Sequence, residues 1–306
     1  MHPLNHHQIS DVTQRDDRAA WRIVATDWIL IALALALAGL APNPLTLILA
    51  LFILGCRQLS LGIIVHETGH QTFFQSKKTN HWVGRWLSGY WVFSSQTVYM
   101  KGHLSHHRYA GTAEDPDLKN YSAYPISKAS FRRKVWRDLS GQTGWRRLKS
   151  IARSIRRYRQ LDEEGRSVVK GGLITNGSLL LVLSLLNAPW LFLLWVTAFA
   201  TTHMLCTRIR QIGEHAAVPN PNSDDPREHT RTIVTDWWER LFIAPHQIAF
   251  HLEHHLLPSV PLYQLPKLHQ MLNQVGFSQG VRFTKGYRAL IADIIARPTS
   301  SQPPSL

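Results

Sequence analysis

Two long runs free of acidic and basic side chains constrain this 306-residue chain more than any other feature. One covers the 29 residues 28–56, the other the 37 residues 171–207. About 20 apolar residues make one membrane-crossing helix, since each residue adds about 1.5 Å against a hydrocarbon layer of about 30 Å. Each run is broken by a turn signal, Ala41-Pro-Asn-Pro44 in the first and Asn187-Ala-Pro189 in the second. Such pairs end helices and favour turns. The pattern predicts two helical hairpins and therefore four membrane spans. The first hairpin is the less clean, with only 13 strictly apolar residues in one half (29–41) and 12 in the other (45–56). Extending it takes in Asp27 on one side and Arg57 and Gln58 on the other. Charges at that depth are costly unless they reach the surface or face protein. The competing arrangement is one long buried hairpin in a soluble core. A second uncharged run of 37 residues is hard to house in a soluble domain of this size.

Charge placement orients the hairpins. The net charge is +14, and residues 101–170 hold 17 of the 34 Lys and Arg against seven acids, while both hairpin turns are uncharged. Positive charge collects on the cytoplasmic side of bacterial membrane proteins. The N-terminus, the middle region and the C-terminus are therefore expected in the cytoplasm of a multi-pass protein of the bacterial cytoplasmic membrane. Anionic lipid head groups would attract the same surface. This location also argues against nucleic acid as a partner. Residues 1–20 are polar, including His2, His6 and His7, and are read as a solvated tail with no cleavable leader. Cys56 and Cys206 sit in opposite hairpins, and without a C-x-x-C pair neither a thiol redox site nor an iron–sulfur cluster is encoded.

In chain order, residues 21–40 and 45–65 are the first two spans, with Trp21 and Trp28 suited to the interface. From Leu45 to His66 a helix rises about 32 Å, roughly one bilayer core, so His66 emerges at the cytoplasmic face. Residues 82–98 are aromatic-rich but too short to span and fit an interfacial or re-entrant segment. Residues 103–170 read as cytoplasmic helices. Residues 216–306 are cytoplasmic, with Trp237 and Trp238 touching the interface and the Pro- and Ser-rich stretch 298–306 disordered. One membrane domain is expected over residues 21–285, between the tail 1–20 and a second tail 286–306. The expected fold class is all-α: four transmembrane helices in two hairpins under a cytoplasmic helical cap.

Three histidine clusters supply the chemistry. They are His66-Glu-Thr-Gly-His70, His103-Leu-Ser-His106-His107 and His251-Leu-Glu-His254-His255, which hold eight of the 17 histidines. Residues three or four apart share a helix face, so each cluster presents its imidazoles together. One zinc ion usually takes four ligands. Eight imidazoles are too many for that and suit two metals with open positions. An all-nitrogen set without thiolate is consistent with iron. The first cluster also matches HExxH, the zinc metalloprotease helix in which the glutamate, here Glu67, is the general base. That reading leaves the other two clusters unexplained.

At these motifs the chain resembles the integral-membrane fatty-acid desaturase and hydroxylase superfamily. The likeness covers residues 25–270 in order, spacing and flanking hairpins. Finer features, His107-Arg-Tyr-Ala-Gly-Thr-Ala-Glu-Asp-Pro-Asp117 and Arg210-Gln-Ile-Gly-Glu-His215, are similar to a small bacterial branch with dihydrorhizobitoxine desaturase-like proteins. The resemblance implies a ninth histidine ligand after the fourth span, which His215 fits, and a di-iron centre activating O₂. It implies removal of hydrogen from an unactivated C–H bond of a fatty acyl or related aliphatic chain in the membrane. Removal of a second, adjacent hydrogen gives a desaturase; oxygen rebound gives a hydroxylase. It also implies a separate electron donor, ferredoxin or similar with its reductase, because no fused redox module is present. Metal-bound histidines donate their second N–H to a nearby acceptor. Glu67, Asp115, Asp117, Glu214 and Glu253 are candidates for that role, and Arg208, seven residues before His215, for pairing with an acid near the site or a lipid head group. His203, inside the fourth span, is a functional or a packing residue. His81, His229, His246 and His269 lack clustered spacing and read as ordinary polar residues. The spans should enclose an apolar slot leading to the metals.

Overall fold

The computed structural model describes residues 3–281 and 283–295; His2 and the stretch 298–306 lie outside the described residues. After the short α1 (His6–Val12), α2 (Asp17–Leu40) and α3 (Pro44–Gly69) form the first hairpin. Its turn is closed by Asn43, whose side chain accepts from the N–H groups of Leu45 and Thr46, while Pro44 opens α3 with its φ already helical. Next come α4 (Lys77–Trp82), a π-helical turn (Val83–Ser88) and a 3₁₀ turn (Gly89–Val92). This is the aromatic segment expected at the interface. It lies along the first hairpin, with Trp28 Nε1 donating to the Leu87 carbonyl at 3.1 Å. Then follow α5 (Gln96–Tyr109), α6 (Leu118–Tyr121), α7 (Lys128–Leu139) and α8 (Gln142–Arg156).

The second hairpin joins α9 (Glu163–Leu185) to α10 (Trp190–Ala200) and α11 (Thr202–His215). The last two are one rod broken at Thr201, where the backbone leaves helical values (φ −123°, ψ −85°). Two neighbours occupy the break. A Cβ on Gly144 of α8 would fall 2.1 Å from the Ala200 carbonyl, and one on Gly55 of α3 would fall 2.2 Å from Thr202 Oγ1. Only glycine permits these approaches. Beyond α11 come α12 (Pro226–His229), α13 (Trp237–Phe242), α14 (His251–Leu256), α15 (Leu265–Gln274) and α16 (Gly286–Ile294). Two short strands, β1 (Ile233–Val234) and β2 (Thr284–Lys285), pair in parallel and tie the chain before α14 to the end of the fold.

Among the described residues, four helical stretches are long and apolar enough to cross a membrane. Their outer faces expose Ile29, Leu33, Leu181, Leu185 and Leu193, and at the first turn Leu40 is 87% and Leu45 75% exposed. Contiguous apolar surface of this extent is foreign to a water-soluble monomer and suits lipid. Between the hairpins, Ala34, Leu54, Leu194 and Trp195 form one core. A larger core around Leu59, Ile63, Tyr121, Ile212, Leu268 and Tyr287 joins the upper parts of α3 and α11 to the C-terminal helices.

Both presumed tails join the fold. Leu4 and Val12 are buried, and Lys267 pairs with Asp11 at 2.7 Å, so residues 3–20 are not a solvated tail. Residues 286–294 form α16, with Tyr287 and Leu290 buried. Their apolar residues recur at helical spacing, a signal outweighed in the sequence by the polar flanks. Asp27 and Arg57 face each other in an ion pair of 2.8 Å, 0% and 2% exposed. Ser60 Oγ donates to Asp27 at 2.5 Å, His246 Nε2 lies 3.1 Å from both Asp27 oxygens, and Arg57 Nη2 donates to the Arg240 carbonyl at 2.6 Å. The buried charges of the first hairpin thus clamp the C-terminal segment onto α2 and α3. Removing one partner of such a pair strands the other charge. Asp27→Ala should therefore lose about 3–5 kcal/mol and lower the melting temperature of the detergent-solubilised protein. An unchanged melting temperature would contradict the clamp.

Candidate metal centre

Helical geometry sorts the histidines. Positions i and i+4 differ by about 40° around a helix, whereas i and i+3 differ by about 60° in the opposite sense. On α5, His103 and His107 thus point one way and His106 another. On α14, His251 and His255 pair off and His254 diverges. The structure gathers His66, His70, His103, His107 and His254 into one group, and His106, His215, His251 and His255 into a second; within each, the ligand-capable atoms lie within 4.8 Å of one another. The first cluster, an i, i+4 pair at the end of α3, goes wholly to the first group. Each of the other two clusters sends a pair to one group and its middle histidine to the other. His215, the last residue of α11, completes the second group.

The outer ring nitrogens decide which way the lone pairs face. His66 Nδ1 lies 2.9 Å from Glu67 Oε1, His106 Nδ1 donates to Asp115 Oδ1 at 2.9 Å, and His215 Nδ1 donates to the His229 carbonyl at 3.0 Å. A carbonyl can only accept, so the His215 proton is on Nδ1. The Asp115 carboxyl would be raised by burial. Hydrogen bonds from His106, Tyr121 and the Asp117 N–H overcome this and hold it below its ordinary value, so Asp115 is an acceptor and His106 also carries its proton on Nδ1. The Nε2 atoms of His106 and His215 are then bare lone pairs facing each other at 3.2 Å. That contact is repulsive without a cation between or beside them.

The other inward separations agree: 3.1 Å for His66–His254, 2.9 Å for His70–His103, 3.0 Å for His107–His254 and 2.9 Å for His215–His251. Two nitrogens about 2.1 Å from a metal lie about 3.0 Å apart at right angles, but about 3.4 Å apart at the tetrahedral angle. The spacing is therefore that of nitrogens able to share a metal. Burial also keeps the imidazoles neutral, the form that ligates. It pushes His70 down to about 4 and is the largest cause holding His107 down at about 3. His103, His251, His254 and His255 are depressed in the same direction, again mainly by burial.

The surrounding groups divide. Glu67 holds His66 and also accepts the Leu262 N–H at 2.8 Å. Both its oxygens are engaged and it is 2% exposed, so it is not placed as a protease base. Asp115 holds His106 and is itself held by the Tyr121 hydroxyl. Glu214 is ion-paired with Arg210 at 2.7 Å and lies 3.4 Å from His251 Nδ1. Asp117 is half exposed, 4.0 Å from His106 Nδ1, and acts through its N–H on Asp115. Glu253 does not face a clustered histidine: it accepts from Thr232 Oγ1 at 2.6 Å and His269 Nδ1 at 2.5 Å, fixing α14. Arg208 pairs instead with Asp138 of α7, its Nη2 at 2.9 Å, and ties the basic middle region to α11.

Sequence reasoning passed over the His229 carbonyl, the Tyr121 hydroxyl, His269 and Arg210. A carbonyl leaves no trace in residue type, and the other three meet their partners only through tertiary contacts. A cavity of about 460 Å³ reaches the histidines between α3, α5 and α11. Its lining is mostly apolar, with Leu59, Ile63, Val92, Phe199 and Met204, but it also carries Arg147, Thr207 and Gln211.

Two outcomes are expected. Asp115→Asn should lower metal affinity about 10–100-fold, read as metal retained against a chelator; retention equal to wild type would remove Asp115 from the site. In metal-free protein, the unfolded chain takes up protons below about pH 6.5 that the buried histidines refuse. Stability should therefore fall as the pH drops from about 6.5 toward the folded value of about 4 for His70. A melting temperature flat across that window would contradict it.

Comparison with known proteins agrees with the motifs. The chain is similar to dihydrorhizobitoxine desaturase of Bradyrhizobium elkanii, 28% identical over 287 residues that cover 86% of this chain and 79% of that protein. Residues 42–286, which include all nine gathered histidines, match the model of the fatty acid desaturase family. The chain belongs to the fatty acid desaturase family.

Proposed function

We propose that this protein is an O₂-dependent di-iron oxidoreductase of the membrane that introduces a double bond into an aliphatic chain. The observation that carries the reading is the pair of opposed, proton-free nitrogens on His106 and His215, repeated in kind through two adjoining groups of imidazoles. Family membership supports iron as the metal. The likeness to a desaturase supports a double bond as the outcome, with hydroxylation at the same site as the second reading. Bound iron would supply activation of O₂ and removal of hydrogen from an unactivated C–H bond.

The chain's own residues provide the setting. His66, His70, His103, His107 and His254 would hold one iron, and His106, His215, His251 and His255 the other. Glu67, Asp115 and the His229 carbonyl fix the ring orientations, as acceptors behind ligand histidines commonly do. The cavity along α11 holds the substrate against the second group. Six of the nine histidines are buried and three half-buried, which limits the access of bulk water to an oxidising centre.

The reading extends to topology. Four spans lie in two hairpins, with the histidine-bearing cap and both termini in the cytoplasm, a reading that the charge asymmetry supports. Residues 21–285 are the catalytic membrane domain, with the ordered flanks packed on it. Electrons come from a separate donor, ferredoxin or similar with its reductase. Lipid forms the surroundings, and nucleic acid has no part.

The test is expression in a host of known lipid and metabolite profile, with mass spectrometry against a His254→Ala control. A product lighter by two hydrogens supports desaturation, and one heavier by an oxygen supports the second reading. Identical profiles for wild type and control would count against both.

A further inference from the structure

The cavity has a largely apolar lining, and the polar groups it carries are not evenly placed. One face of α11 lines it from His203 through Thr207, Arg210, Gln211 and Glu214 to His215. Those 12 steps rise about 18 Å. The gathered histidines mark one end. In the middle, Arg210 is already neutralised by Glu214 at 2.7 Å. The other end differs.

There, contact between Gly144 and Ala200 seats α8 on the break between α10 and α11. Arg147 lies three residues further along α8, on the same helix face, and reaches the cavity beside His203. Its Nη2 donates to the Phe93 carbonyl at 3.2 Å. Among the described residues no carboxylate stands within ion-pair range of it. The Arg147 side chain is exposed to solvent. Two further side-chain atoms at this end, His203 Nδ1 and Thr207 Oγ1, are buried without a hydrogen-bond partner. The His203 ring is held by stacking on Phe199, with centroids 5.1 Å apart. Buried polar atoms without partners are rare because they forfeit their hydration. Two of them beside an unpaired cation make a site for a group that brings acceptors and negative charge.

We propose that this end of the cavity is a carboxylate subsite, in which Arg147, Thr207 and His203 hold the acidic head of the substrate. The substrate is then an amphiphilic acid bound head-inward, not a bare alkyl chain. Its reacting carbon is selected by distance from the head along α11. This last clause rests on the oxidase reading; the binding of the head does not.

The test is isothermal titration calorimetry on the full-length, metal-loaded protein in detergent, with octanoate, methyl octanoate, octylamine and octyl phosphate as probes. Octanoate should bind about ten-fold more tightly than the ester or the amine, the scale of one hydrogen bond to a charged group. Arg147→Gln should abolish the preference, Arg147→Lys should restore part of it, and Thr207→Val should weaken octanoate while leaving the ester unchanged. Equal binding of octanoate and its ester by wild type would overturn the proposal. So would an Arg147→Gln protein of unchanged melting temperature that keeps the preference. Tighter binding of octyl phosphate than of octanoate would assign the subsite to phosphate and overturn the carboxylate. Binding is read without turnover, so an inactive protein that prefers octanoate would count against the oxidase reading alone.

Discussion

The repulsion between inward-facing imidazole lone pairs is the constraint on which the rest of this structure depends. Nine histidines converge from four segments that are far apart in the chain, and their inner nitrogens stand about as close as nitrogens sharing a metal. No tautomer relieves the His106–His215 contact, because each ring has committed its proton outward, to Asp115 and to the His229 carbonyl. Bound cations would compensate a fold that imposes this arrangement. Metal binding is then part of the folding free energy, and the core around Ile212, Leu268 and Tyr287 is the frame that resists collapse of the site.

The membrane helices and the site are one construction. α3 and α11 continue past the apolar zone and end on ligand positions, at His66 and His70 on one and His215 on the other. The break at Thr201 lets α8 dock against the second hairpin. The buried Asp27–Arg57–His246 cluster holds the segment leading to α14 against the first hairpin. Each charge inside the apolar zone is therefore paired with a protein group, as the cost of an isolated one demands.

Much of this was legible in the sequence, and for identifiable reasons. Uncharged runs and turn residues mark hairpins because hydrogen bonding and burial act locally along a helix. Histidine spacing marks shared faces for the same reason. The division of each HxxHH cluster between two groups follows from helix angles, once two metals are assumed. What stayed hidden depends on tertiary contacts. Arg208 lies near the His215 face by spacing, yet its partner is Asp138 on a helix 70 residues away. Glu253 sits inside a cluster, but its carboxylate turns to Thr232 and His269. The polar flanks of the chain look like tails until Leu4, Val12 and Tyr287 are seen to fill the core. The place of Arg147 in the cavity lining was also hidden, since it comes from a helix that reads as ordinary cytoplasmic surface.

The most direct measurement is the metal content of the purified protein, by inductively coupled plasma mass spectrometry against protein concentration. Two irons per chain, with both lost on substituting His106 and His254 together, is the result this account predicts. A single zinc per chain, with no iron, would contradict it.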